Sequence, residues 1–96
     1  MTIEQLRHEK RQAIQRLAMQ HGASNVRVFG SVARREARTE SDVDFLIDAG
    51  PITSSWFPAG LILDLEELLG CRVDVLTEKA LHPALRERVL REAVPL

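Results

Sequence analysis

The apolar positions change period along the chain, and each change marks an element. Thr2 and Gln5 form a capping-box pattern. Ile3, Leu6, Ala13, Ile14 and Leu17 then recur at helical spacing. The spacing predicts one helix over roughly residues 3–20, stopped by Gly22. Asn25 to Phe29 alternates, with Val26 and Val28 on one face, and reads as a short strand. Gly30-Ser31 breaks it, residues 32–37 suit a brief helix, and Thr39-Glu40-Ser41 is a turn. Asp42 to Ile47 is a second strand, with Val43, Phe45 and Ile47 on one face and Asp42, Asp44 and Leu46 on the other. After a loop from Ala49-Gly50-Pro51 to Pro58, Leu61, Ile62, Leu65, Leu68 and Leu69 make one helical stripe closed by Gly70. Arg72 to Leu76 alternates again, with Val73 and Val75 opposite Asp74. Thr77 suits an N-cap, and Pro83 takes a favoured first helical position. Leu81, Leu85, Val89 and Ala93 step by four along a last helix. Three strands and about four helices predict an α+β fold: a small mixed sheet whose apolar face is covered by helices.

Length sets the scale of this fold. Ninety-six residues suit a single domain, 1–96, with one small core. A separate substrate-binding domain on the same chain has no room. The composition is 45% apolar and 28% charged, as in globular proteins. One cysteine, Cys71, excludes an internal disulfide framework and any multi-cysteine zinc site, and it reads as a small apolar packer. No apolar run approaches the roughly 20 residues of a membrane span, and no signal-peptide core opens the chain. The expectation is a soluble cytoplasmic protein.

Charge adds segregation. Residues 1–38 hold eight Lys or Arg against three Glu, and residues 39–78 hold nine acids against Arg72 alone. The final stretch is again weakly basic, and the net charge is −1. An acidic centre between basic flanks suits a site for cations and phosphates together, although solvated faces group charges in the same way. Four aromatics and no tyrosine do not make a nucleic-acid-reading face, so DNA or RNA is not expected as the main ligand.

Three features carry chemistry. Gly30-Ser31 lies where a strand meets a helix start, and glycine lets an anion approach the amides and the Ser31 hydroxyl closely. Alone, such a pair is usually just a turn. Asp42 and Asp44 stand two apart on a strand, so both face one way and can converge on a hard cation. The bland alternative is a polar strand end with Asp42 capping a turn. Asp74, between two core valines, faces the side of Asp44 if the strands are neighbours. It then completes a set of three acids, serves as a base, or simply pairs with Arg72 or Arg27. Asp48 shares their parity but lies too far along the strand, and Asp64 reads as solvent-facing.

The combination is far more specific than its parts. Gly30-Ser31, ten residues, Asp42-x-Asp44, then a strand aspartate thirty residues later resembles the nucleotidyltransferase superfamily that includes DNA polymerase beta. The smallest members, the minimal nucleotidyltransferases, resemble it most, and many of them are antitoxins encoded beside a helical HEPN-domain toxin. The stretch from Gly30 to Ile47 looks like their signature, and Leu85 to Ala93 looks like their C-terminal helix. One departure is Arg35, where the family often has glycine.

The resemblance implies a polymerase beta-like fold and a Mg²⁺-dependent transfer of AMP from ATP to a hydroxyl of a partner HEPN toxin, a tyrosine by family habit. It implies Gly30 and Ser31 on the triphosphate, Asp42 and Asp44 on the metal, and Asp74 supporting the metal and activating the acceptor. Arg35 and Arg38, ahead of Arg34, are further candidates for phosphate contact, against a solvated face pairing with Glu36 or Glu40. The rival readings are a non-catalytic module that blocks the toxin by binding, and a small-molecule nucleotidyltransferase. His8, His21 and His82 lack metal-ligand spacing and read as surface residues. Trp56 and Phe57 either cap the core or meet a partner. Self-association is left open.

Overall fold

The computed structural model describes residues 1–38 and 41–96. Helix α1 (Ile3–His8) starts with the Thr2–Gln5 capping box, and α2 (Arg11–Gln20) follows after a break at Glu9-Lys10. The single helix expected over residues 3–20 is therefore two. The amides of Glu9 and Lys10 both reach the Gln5 carbonyl, which widens one turn. Residues 7–12 are all polar, so no core contact holds that turn straight.

Strand β1 (Ala23–Phe29) leads into the one-turn helix α3 (Gly30–Ala33), and β2 (Val43–Ala49), α4 (Ala59–Leu69) and β3 (Val73–Thr77) follow. A 3₁₀ turn (Glu78–Ala80), α5 (Pro83–Glu92) and the two-residue β4 (Val94–Pro95) complete the chain. The short helix thus begins at Gly30 and not at residue 32. The Thr39-Glu40 part of the predicted turn lies outside the described residues. The sheet has four strands rather than three, in the order β3-β2-β1-β4. β2 and β3 are parallel, and the other two pairs are antiparallel. Two residues are too few to show an alternating pattern, so β4 was not legible.

The face carrying Val26, Val28, Val43, Phe45, Ile47, Val73 and Val75 packs with α1, α2, α3 and α4 into the main core. Leu61, Leu65 and Leu69 supply the buried stripe of α4, and Gly70 ends it in the left-handed conformation. The other face is covered only in part. Leu46 lies under α5, clustered with Leu81 and Val89. Leu85, expected in that stripe, is 50% exposed. A step of four residues overshoots the helical turn by roughly 40°, so three such steps do not stay on one face.

No described helix is long and apolar enough to cross a membrane.

Candidate active site

Strand directions bring the chemistry-bearing residues to one end of the sheet. β1 runs antiparallel to β2, so its C-terminal Phe29 stands opposite Asp44 at the start of β2. β3 runs parallel to β2, so its second residue, Asp74, also pairs with Asp44. Adjacent strands lie about 4.8 Å apart. Gly30, Asp44 and Asp74 therefore meet at one edge, and Asp42 follows by strand parity, exposed just before β2. Asp44 and Asp74 share the face that α5 only partly covers, because their neighbours in sequence, Val43, Phe45, Val73 and Val75, point into the main core.

Gly30 is needed here for two reasons. Its φ is +74°, in the region where a side chain is strained. A Cβ at this position would also overlap Asp44 Oδ2. The turn and the Asp44 carboxylate are thus packed against each other with no atom between them. Helix geometry leaves the first amides of α3 without intrahelical acceptors. The Gly30 N–H, expected to be a free donor, instead donates to Glu92 Oε2 on α5 at 3.0 Å.

Asp44 is half-buried, and its pKa is raised to about 6. Burial is the main cause, followed by the negative charges of Asp74 and Asp42, while Arg34 opposes the shift and Glu92 adds to it. The site therefore holds more negative charge than its own side chains neutralise. Carboxylates are hard oxygen donors that suit Mg²⁺. Among the described residues, no three His, Cys, Asp or Glu side chains are gathered closely enough to enclose a metal by themselves.

The arginines are arranged differently from the order of preference drawn from the sequence. Arg35 turns away to pair with Glu4 on α1. Its φ is +61°, the conformation glycine adopts without strain. Arg38 bonds through its backbone to Ser41. Arg34 is the cation beside the acids. Its Nε donates to Glu36 at 3.0 Å and its Nη1 to Glu92 at 2.8 Å.

Other candidates separate from this edge. Arg27 pairs with Asp48 and Glu78 and leaves Asp74 alone. His21 is not a surface residue: its side chain is 14% exposed. Nδ1 lies 2.6 Å from Ser54 Oγ and Nε2 lies 2.7 Å from Asp64 Oδ2. These bonds tie the loop after β2 to α2 and α4. His82 caps α5 by accepting from the Ala84 amide. Cys71 packs on the main core, and burial pushes its thiol pKa up. Phe57 also packs there, whereas Trp56 is 89% exposed. Glu92 was missed by sequence reasoning. Its signal lay in the apolar positions Val89 and Ala93, which set this end of α5 on the sheet beside Leu46.

Known proteins resemble this chain in sequence and fold. Residues 10–96 match the nucleotidyltransferase domain family. The protein adenylyltransferase MntA of Thermococcus cleftensis is 36% identical over 94 residues, covering 98% of this chain and 95% of that protein. A candidate protein adenylyltransferase of Methanocaldococcus jannaschii is 42% identical over 78 residues, covering 81% of this chain and 84% of its own. A solved structure described as a candidate minimal nucleotidyltransferase superposes with a TM-score of 0.84 at 52% identity, covering 100% of this chain and 97% of its own. A toxin–antitoxin crystal structure with AMP-PNP shares the fold at a TM-score of 0.71 and 19% identity, covering 90% of this chain and 68% of its own. An edge built from a glycine turn and facing strand aspartates, in a chain this similar from end to end, makes the protein a nucleotidyltransferase of the minimal class, in the family that includes the protein adenylyltransferases.

Proposed function

We propose that this chain transfers AMP from ATP to a hydroxyl of a partner toxin and so acts as an antitoxin. The observation that carries the reading is the pairing of Asp44 with Asp74 beside a glycine turn that touches the Asp44 carboxylate. Asp42 and Asp44 would hold Mg²⁺, with Asp74 next to it. Bound there, the cation would neutralise charge on the phosphates and on the attacking and leaving oxygens.

The chain's own groups do the positioning. Ser31, through its amide and hydroxyl, holds the β- and γ-phosphates at the turn. Arg34 adds positive charge behind them, and Arg35 and Arg38 remain candidates for outer phosphate contacts. Asp74 accepts the proton of the acceptor hydroxyl. That oxygen forms a bond to the α-phosphorus as the bond to the β-phosphate oxygen breaks, and pyrophosphate leaves. Phosphoryl transfer asks for placement and charge neutralisation rather than covalent help from the protein, which a small edge site can supply.

The partner reading draws on the toxin–antitoxin neighbour with AMP-PNP and on the protein adenylyltransferase relatives. A HEPN-type toxin, a tyrosine acceptor and a cytoplasmic setting follow from the family resemblance. Trp56 and Ile52, at 89% and 83% exposure on the loop after β2, offer apolar surface for a protein partner to cover. Calorimetric titration with ATP, with and without Mg²⁺, tests the site. Metal-dependent binding that is weakened in Asp44→Asn is expected, and equal affinity in both proteins with no metal dependence would reject it.

A further inference from the structure

Glu92 lies outside the glycine turn and the aspartates, yet it holds the turn. Its Oε2 accepts from the Gly30 amide at 3.0 Å and from Arg34 Nη1 at 2.8 Å. Gly30 is the first residue of α3, and Arg34 is its C-terminal cap. A single carboxylate oxygen therefore holds the first amide of a four-residue helix and the side chain of its C-cap. Such a helix is too short to hold its own geometry, since one turn costs more chain entropy than its hydrogen bonds return. Glu92 itself is well anchored. Its side chain is 15% exposed, Arg88 Nε lies 3.7 Å from its other oxygen, and Val89 and Ala93 fix α5 over Leu46.

This placement has an electrostatic cost, because Glu92 is a third acid near Asp44, after Asp74 and Asp42. It also removes the Gly30 N–H and part of the Arg34 guanidinium from the pool of donors. What remains at the turn is the amides of Ser31 and Val32 and the Ser31 hydroxyl.

We propose that Glu92 is a positioning residue that fixes the Gly30-Ser31 turn from α5, so that Ser31 and Val32 present their donors to the triphosphate. The inference rests on the reading of this turn as the triphosphate cradle. The opposite arrangement, with Glu92 standing where a phosphate must go, predicts the opposite sign of effect on affinity.

The experiment compares binding of Mg²⁺-ATP and of AMP to wild type, Glu92→Gln and Glu92→Ala at pH 8, with circular dichroism to check folding. Losing a charge-assisted hydrogen bond at the turn should weaken ATP binding about tenfold in Glu92→Ala. Glu92→Gln keeps an acceptor for the Gly30 amide and should fall between. AMP, which lacks the phosphates held at the turn, should bind all three proteins alike, whereas general loosening of the fold would weaken both ligands together. Tighter ATP binding in Glu92→Ala, unchanged ATP binding, or a parallel loss of AMP would each overturn the proposal. Failure of wild type to bind Mg²⁺-ATP would instead remove the cradle itself.

Discussion

Asp44 on β2 and Asp74 on β3 are direct partners across a parallel strand pair. Like charges placed opposite each other in a sheet destabilise it. Here the cost is raised by the half-burial of Asp44 and by Asp42 on the same edge. The next pair on the same face, Leu46 and Leu76, is apolar, which is what stability alone would favour at this register too.

Asp44 has an ordinary pKa of 3.8 that rises to about 6 in the folded chain. The folded state therefore favours the protonated form. The contribution of this group to stability is fully present below pH 4 and is lost as pH rises through 6. Urea unfolding at pH 4 and pH 7 should show Asp44→Asn gaining stability relative to wild type at the higher pH. Mg²⁺ at pH 7 should narrow that difference. A wild-type to variant difference that does not change with pH would contradict the burial of this carboxylate among acids.

Gly30→Ala should harm the site more than the fold. The left-handed backbone costs an alanine about 1–2 kcal/mol. The new methyl group also displaces Asp44 Oδ2, the free end of a side chain that moves easily but is then misplaced. The expected result is a modest fall in stability with loss of Mg²⁺-ATP affinity by at least about tenfold, since a site's geometry is sensitive to shifts of about 1 Å. Chemical denaturation and calorimetry on the same sample separate the two effects.

His21→Ala should behave in the reverse way. It removes the bonds to Ser54 and Asp64 that tie the loop after β2 to two helices, at the far end of the sheet from the aspartates. The loss of stability should be about 1–2 kcal/mol. Nucleotide affinity should not change. A large loss of affinity would mean that the loop reaches the site.

These residues also show what the sequence made legible. The alternation of β2 and β3 set Asp44 and Asp74 on the face opposite the valines, and the structure has them there. The spacing from Gly30-Ser31 to Asp42-x-Asp44 carried the family. Side-chain pairing across long separations was not legible. His21 has no local signal that Ser54 and Asp64 will meet it, because loop closure brings them together. Glu92 and Gly30 are sixty-two residues apart. Arg35 was preferred over Arg34 from position alone, but the left-handed turn at Arg35 swings it toward Glu4. The break between α1 and α2 was hidden because both halves keep one helical period.

Intact-protein mass spectrometry of the partner toxin reads AMP transfer itself. Wild type with the toxin and Mg²⁺-ATP should add the mass of AMP to the toxin and release pyrophosphate. Asp42→Ala combined with Asp44→Ala should abolish that addition while the chain stays folded, because it removes two mutually repelling carboxylates at the sheet edge. An unmodified toxin after incubation with wild type, together with full neutralisation of the toxin by the double variant, would reject AMP transfer and leave simple occlusion in its place.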